Sequence, residues 1–270
     1  MSGLVLRQKH NVAERLNVSA LTPSKIANLS AHDIAHIKVG SSKAELRLGD
    51  VFDVSGSAGD TLTIESTSAG LDFAGAGLDS GTLRIDGPAG AYAGQGMSGG
   101  RLEITGDAGN YLAAGQTGGL IIVQGSAGDN AGGVLSGQRF GMMGGTTVVG
   151  GNIGARAGDK MRRGTIIARG KTGTGAGTRM LGGTIWAEGG FGLDPGFMMR
   201  RGTLIGPSVE RMLPTFADCG RHDLLILRIL ARYFEQILGP MAPKPPGAFA
   251  RRIAGDMATI GKGEILLPAN

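Results

Sequence analysis

Residues 81–100 read GTLRIDGPAGAYAGQGMSGG, and residues 100–119 read GRLEITGDAGNYLAAGQTGG. The two stretches match position by position: a closing glycine, a short apolar run, two strict glycines and a looser third. The pattern continues along the chain. Gly81, Gly100, Gly119, Gly145, Gly164, Gly183 and Gly202 close successive units, at intervals of 19, 19, 26, 19, 19 and 19 residues. The long interval is a 19-residue unit with seven extra residues. A constant period of this length means stacked repeats, each coil resting on a near-copy of itself.

After each closing glycine comes an apolar run, at residues 83–85, 102–104, 121–123, 166–168 and 185–187. A glycine stands two residues later (Gly87, Gly106, Gly125, Gly151, Gly170, Gly189), and another three further on (Gly90, Gly109, Gly128, Gly154, Gly173, Gly192). The third (Gly94, Gly132, Gly158, Gly177, Gly196) is once replaced by Ala113. A methionine sits near the end of most units: Met97, Met142, Met161, Met180 and Met199. A strand of so few residues cannot bury itself alone. Stacked on the coil before, its backbone pairs in a parallel ladder and its inward side chains join one core. A helix fails on cost, because each interior glycine loses about 1 kcal/mol against alanine. Collagen fails because the glycines do not fall every third residue. Disorder fails because the apolar runs recur. The pattern predicts an all-β solenoid, with Leu83, Leu102, Ile121, Ile166 and Ile185 inside.

Earlier coils are less regular. Residues 61–81 form a 21-residue unit with Leu62 and Ile64 as its apolar pair, and residues 45–60 read as an opening coil around Leu46 and Leu48. That makes seven or eight coils, whose end edges need covering. The expected division is an N-terminal cap at 1–44, a glycine-rich solenoid at 45–206, and a C-terminal helix with an extended tail at 207–270. In the cap, residues 4–7 read as a strand. Thr22-Pro23 opens a helix to about Leu29, and residues 30–39 hold a second helical turn. Residues 223–238 are the long helical pattern, with Arg228, Arg232 and Glu235 on one stripe and apolar residues over most of the rest. A helix this apolar is expected to be widely buried, against the last coil and another subunit. Residues 240–246 read as a proline-rich linker, and 264–267 as a final strand that leaves the body.

The single cysteine, Cys219, excludes an internal disulfide framework and suits a reducing cytoplasm. With no signal pattern and no apolar run of spanning length, the chain is expected to be soluble and cytoplasmic. The net charge of +5 is unevenly spread: residues 61–145 hold seven acids and three bases, residues 146–204 three acids and nine bases. Lys160, Arg162, Arg163, Arg179, Arg200 and Arg201 all fall in the last five positions of their units. Equal positions stack, so these six are expected to crowd one edge, either as a solvated face or as a track for an anionic partner. Nucleic acid is disfavoured, since no aromatics interleave with these bases.

No catalytic constellation is legible. His32 and His36 lack the glutamate and third ligand of a helix metal pair. The stretch 164–172 departs from a phosphate loop, since Thr165 stands where that motif needs glycine. Cys219 has only Arg221 and His222 near it in sequence, which leaves a nucleophile open but unsupported. Tyr92 and Tyr111 occupy one position of adjacent units and are expected to stack.

The unit resembles the right-handed β-helix of the glutamate synthase large subunit. The complete layout is closer to the C subunit of the formylmethanofuran dehydrogenase family. That resemblance rests on Leu29-Ser30-Ala31-His32-Asp33-Ile34, on Leu48-Gly49-Asp50-Val51-Phe52, on the insert with Gln138-Arg139-Phe140, and on the paired arginines before Gly164 and Gly202. It implies a right-handed parallel β-helix and a noncatalytic scaffold subunit. The archaeal complexes carry one-carbon units between carbon dioxide and methanofuran. A related bacterial complex transfers a formyl group from formyl-tetrahydromethanopterin to a methanofuran-type carrier and hydrolyses it to formate. The 19 arginines against 8 lysines, and the lack of a cysteine cluster or extra domain, favour the bacterial version. The resemblance further implies sibling subunits as partners, no cofactor bound by this chain, and docking of a polyglutamate carrier tail on the six-residue basic track.

Two other readings stand beside it. A glutamate-synthase-like relay domain would be fused to amidotransferase or flavin domains, which this sequence does not contain. An adhesive or ice-binding solenoid would show an unbroken threonine column, but Thr82, Thr146, Thr165, Thr184 and Thr203 are interrupted by Arg101 and Leu120.

Overall fold

The period of the sequence is the register of the backbone. In this computed structural model Leu83 lies opposite Leu102, Leu102 opposite Ile121, Thr147 opposite Ile166, Ile166 opposite Ile185, and Ile185 opposite Leu204. Ile121 pairs with Thr147 across the long interval. The structure describes residues 3–10, 13–40, 45–245, 247 and 249–269.

Among these residues the chain runs β1 (Leu4–Gln8), β2 (Leu16–Asn17), α1 (Pro23–Ile26), α2 (Ala31–Ala35), α3 (Leu48–Val51), β3 (Phe52–Ser55), β4 (Thr61–Glu65) and β5 (Leu71–Asp72). The repeats follow as β6 (Thr82–Asp86), β7 (Arg101–Ile104), β8 (Leu120–Val123), β9 (Met143–Val149), β10 (Arg163–Ala168), β11 (Leu181–Ala187), β12 (Phe191–Leu193) and β13 (Arg201–Ile205). The chain closes with β14 (Val209–Arg211), β15 (Ala217–Asp223), α4 (Leu225–Leu238), β16 (Phe249–Gly255) and β17 (Lys262–Pro268). The fold is mostly β. Thirteen strands form one sheet, ordered β15-β16-β17-β13-β11-β10-β9-β8-β7-β6-β4-β1-β3. It is mostly parallel; only β1–β3, β15–β16 and β16–β17 pair antiparallel.

Two further rows of bonds join each unit to the next. Parallel bridges link Ala89, Ala108, Ala127, Ile153, Thr172 and Phe191 in succession. At the looser glycine, the Gly94 N–H donates to Ala74 O at 2.8 Å, Gly132 to Leu112 O at 2.7 Å, and Gly177 to Ala157 O at 2.7 Å. The strict glycines allow close approach at the corners. A Cβ on Gly154 would lie 2.2 Å from Asp129 Oδ1, the atom that accepts the Ala155 N–H at 2.7 Å. Asn110 and Asn152 accept the N–H of Asp129 and Lys171 in the same way.

The expected core residues Leu83, Leu102, Ile121, Ile166 and Ile185 are each 0% exposed, and Met97, Met142, Met161, Met180 and Met199 are fully buried with them. Where the long interval places Thr147 in an aliphatic column, its hydroxyl donates to the buried Gln116 Oε1 at 2.7 Å. Gln116 Nε2 in turn donates to Gly118 O at 2.9 Å. The joint around the insert is therefore polar but satisfied.

Several expectations for the ends are corrected. Residues 45–60 do not form a parallel coil. Asp50 accepts the Arg47 N–H at 2.8 Å and closes the α3 turn, and β3 then runs antiparallel to β1. Strand β1, expected at residues 4–7, is present and lies between β3 and β4. Helix α1 ends at Ile26 rather than near Leu29, and α2 is closed by a Ser30–Asp33 capping box. Helix α4 starts at Leu225, because Asp223 still belongs to β15. Residues 264–267 do not leave the body. Strand β17 pairs in parallel with β13, because Ile265, fully buried opposite Leu204, continues the core column. In the expected 240–246 linker, Pro246 lies outside the described residues.

Within the chain helix α4 is buried on one face only, which supplies the part of the expected burial that does not involve another subunit. Leu227, Phe234 and Leu238 pack on Val148, Ile167, Trp186, Ile205 and Leu266, with Trp186 and Phe234 rings edge-on at 6.3 Å. These five sheet residues continue one outward column that runs through Thr63, Arg84 and Glu103 and turns apolar at Ile122. The column is the seat of the helix. Leu225, Ile226, Ile229, Tyr233 and Ile237 remain exposed. No helix among the described residues is long and apolar enough to cross a membrane. Phe234→Asp should lower stability by more than the roughly 3 kcal/mol that truncating a buried Phe costs, because it leaves an unpaired charge under the helix. Chemical denaturation measures this, and a midpoint equal to wild type would refute the seat.

Candidate functional site: a cation-rimmed pocket

The early units carry glycine at a left-handed corner, with φ of +68° at Gly77, +62° at Gly96 and +67° at Gly115. The later units carry side chains there: Lys160 at +53°, Arg179 at +52° and Met198 at +55°. A non-glycine residue in this region costs about 1–2 kcal/mol. The column is held by its backbone: the Gly141 N–H donates to Lys160 O at 3.1 Å, Lys160 N–H to Thr178 O at 3.0 Å, and Arg179 N–H to Phe197 O at 2.7 Å.

These side chains share a pocket of about 480 Å³. Phe140, Leu181, Met198 and Ile260 give it apolar walls; Arg139, Lys160, Arg179 and Arg200 surround it with cations, and no acid lines it. Phe140 comes from the seven-residue insert. Its ring lies under two guanidinium groups, Arg139 at 5.0 Å and Arg162 at 4.9 Å.

The structure thus brings Lys160, Arg179 and Arg200 of the six expected bases into one pocket and attaches Arg162 through Phe140. Arg163 and Arg201 begin β10 and β13 and are not among its lining residues. Arg201 lies in register with Lys262, a like-charged neighbour that the repeat did not reveal.

Ion pairing separates these bases from the rest. Eleven arginines make side-chain ion pairs: Arg7, Arg15, Arg84, Arg101, Arg156, Arg169, Arg179, Arg211, Arg228, Arg251 and Arg252. Of the 19 in the chain, the eight without an acid partner among the described residues include Arg139, Arg162, Arg163, Arg200 and Arg201. Uncompensated cations beside an apolar wall make a receptor for an anion. Arg179 is the exception in the pocket. The buried Asp159 accepts from its Nε at 3.0 Å and from its Nη2, and from Arg156 Nη2 at 2.9 Å.

One side of the pocket comes from the C-terminal segment. Asp256 is buried and accepts the Met198 N–H at 2.8 Å and the Ala258 N–H at 2.9 Å, while Thr259 Oγ1 donates to Met199 O at 2.6 Å. Burial pushes the Asp256 carboxyl up. The hydrogen bonds from Thr215, Ala258 and Met198 outweigh it and hold the group below the ordinary aspartate value of 3.8. No repeat signal pointed to Asp159, Thr259, Ile260 or Asp256. The insert and the loss of glycine from one column were visible signs of Phe140, Lys160, Arg179 and Met198.

None of the other singled-out residues lines this pocket. His36 Nδ1 lies 2.7 Å from His32 O, and no cluster able to hold a metal occurs among the described residues. Cys219 is exposed on β15. Tyr92 and Tyr111 stack at 5.1 Å as expected, and Phe73 extends the stack at 4.9 Å.

A carboxyl whose folded pKa is depressed stabilises the fold above its unfolded pKa, and that contribution is lost as pH falls through the folded value. Wild-type protein should therefore lose stability below the ordinary aspartate value of 3.8, and Asp256→Asn should flatten part of that loss while lowering stability at pH 7. Thermal midpoints across the acid range test this; identical profiles would refute it.

No protein-family model matches the chain. The C subunit of the formyltransferase/hydrolase complex Fhc of Methylorubrum extorquens is 42% identical over 85 residues, a stretch covering 32% of this chain and 32% of that protein. The X-ray crystal structure of the formyltransferase/hydrolase complex FhcABCD from Methylorubrum extorquens, in complex with methylofuran, contains a chain that is 40% identical. It matches with a TM-score of 0.92 over 98% of this chain and 100% of that one.

Proposed function

The chain belongs to the C-subunit family of the formyltransferase/hydrolase complex, and on that footing we propose that it is the noncatalytic scaffold of such an assembly, with its cation-rimmed pocket docking the anionic tail of a methanofuran-type carrier. The assembly transfers a formyl group from formyl-tetrahydromethanopterin to the carrier and releases it as formate at sibling active sites. Both relatives belong to the hydrolytic complex, which favours this reading over a carbon-dioxide-reducing assembly or a glutamate-synthase-like relay. The observation that carries the docking role is the gathering of Arg139, Lys160 and Arg200, without an acid partner among the described residues, beside Arg179 around one pocket, in a chain whose other arginines are mostly paired.

The scaffold is read as a right-handed parallel β-helix. Three rows of parallel bonds between consecutive units support it: the main sheet, the Ala89-to-Phe191 bridges and the glycine corners. In this reading β1 and β17 pair onto its end strands while α4 lies on its side, and the cytoplasm is its compartment. The exposed stripe of α4 supports membership of an assembly. Leu225, Ile229, Tyr233 and Ile237 stand four residues apart and form one line, an apolar face of the kind that meets a partner.

Two experiments test these roles. Lys160→Glu with Arg200→Glu, at a half-buried and an exposed base, should lower thermal stability by no more than about 1 kcal/mol. In the reconstituted complex it should raise the apparent KM several-fold for a carrier with a polyglutamate tail at low salt, a difference that shrinks as salt screens the field. A carrier without the tail is the control, and equal KM values for the tailed carrier would sink the docking role. Ile229→Asp should leave the subunit folded, yet prevent co-purification of its siblings; an intact complex would remove α4 from the interface.

A further inference from the structure

Arg179 differs from the other cations of the pocket in being held. Asp159 is 4% exposed at its side chain, while Arg179 and Arg156 are 39% and 47% exposed at theirs. The carboxylate takes the Nε and Nη2 of Arg179 along one side of the guanidinium. Nη1 has no protein partner among the described residues. A planar guanidinium gripped through Nε and Nη2 still offers its Nη1/Nη2 end, whose parallel N–H bonds match the two oxygens of a carboxylate. The backbone beneath is fixed as well, since Arg179 occupies the left-handed corner that is glycine in the earlier units. Arg179 also lines a second, adjoining pocket of about 620 Å³ with Arg156, Phe197 and Met198, so its guanidinium stands at the junction of two cavities.

We propose that Asp159 is a positioning residue that presents Arg179 as a fixed fork, so that the pocket selects carboxylates by geometry and not by charge alone. This rests on the reading of the pocket as an anion site and names the group it takes: the side-chain carboxylate of a glutamyl chain. The methylenes of such a chain suit the apolar walls at Phe140, Leu181 and Met198. A phosphate fits the same fork, but it has no methylenes to cover the apolar walls and is the less favoured anion.

The two explanations of Asp159 predict opposite signs. If only the field mattered, removing a negative charge from beside the pocket would tighten polyanion binding. If Asp159 holds the fork, removing its charge releases Arg179, and binding weakens.

The test uses the full chain and a fluorescently labelled oligo-γ-glutamate peptide, with inorganic phosphate as competitor. Asp159→Asn should weaken peptide binding about tenfold, the size expected for lost charge-assisted hydrogen bonds. Arg179→Lys keeps the charge but lacks the fork, and should lose a similar factor. The double variant should be no weaker than Arg179→Lys alone, because both changes remove one coupled interaction. Phosphate should compete poorly with the peptide on wild type. If Asp159→Asn does not fold, Arg179→Lys decides: wild-type affinity there overturns the proposal. Unchanged or tighter peptide binding by folded Asp159→Asn, with weakened binding by Lys160→Glu/Arg200→Glu, overturns the proposal alone. Unchanged binding by Lys160→Glu/Arg200→Glu overturns the pocket reading and the proposal with it.

Discussion

Parallel pairing at a constant offset is the constraint on which the rest of this molecule depends. Each unit must lay its backbone on the unit before, at a fixed register, so every residue has as neighbours its own equivalents. The corners leave no room for a side chain where Asp129 or Asn110 reaches forward to bond the next unit. The interior is filled by repeated apolar columns, interrupted at Thr147 and Gln116 and closed by a methionine in most units.

A columnar protein acquires its features by changing a column. The outward column that runs through Thr63, Arg84 and Glu103 turns apolar at Ile122 and becomes the seat for α4. The left-handed corner that starts with glycine turns to Lys160, Arg179 and Met198 and becomes one side of a pocket. The seven-residue insert interrupts the period once. It adds Phe140 at the pocket, and Gln116 with Thr147 satisfies the joint it leaves behind. Side chains at positive φ are tolerated when the surrounding structure over-determines them, as the stacked backbone bonds do here.

Stacking also concentrates charge. Where acids and bases alternate between units, as at Arg84, Asp86 and Glu103, the columns neutralise themselves. In the later units bases outnumber acids, and relief inside the chain is confined to a few pairs, Arg156 and Arg179 with Asp159, Arg169 with Glu188 and Arg211 with Asp194. Uncompensated charge of this kind is tolerated when another molecule supplies the counter-charge.

The sequence by itself determined what the period controls: the parallel register, the buried runs such as Leu83 and Ile185, the methionine column and the stacking of Tyr92 on Tyr111. These are nearest-neighbour properties, so a residue's contacts follow from its position in the unit. The start of helix α1 at Thr22-Pro23 and the spacing of α4 were legible for equally local reasons. Only the tertiary structure decided the rest. The return of β17 beside β13, the insertion of β1 between β3 and β4, the supply of Thr259 and Ile260 to the pocket, and the grip of Asp159 on Arg179 all join residues whose separation or side-chain reach no repeat encodes. Outside the period, pairing is chosen by long-range burial, and one chain read in order carries no register for it.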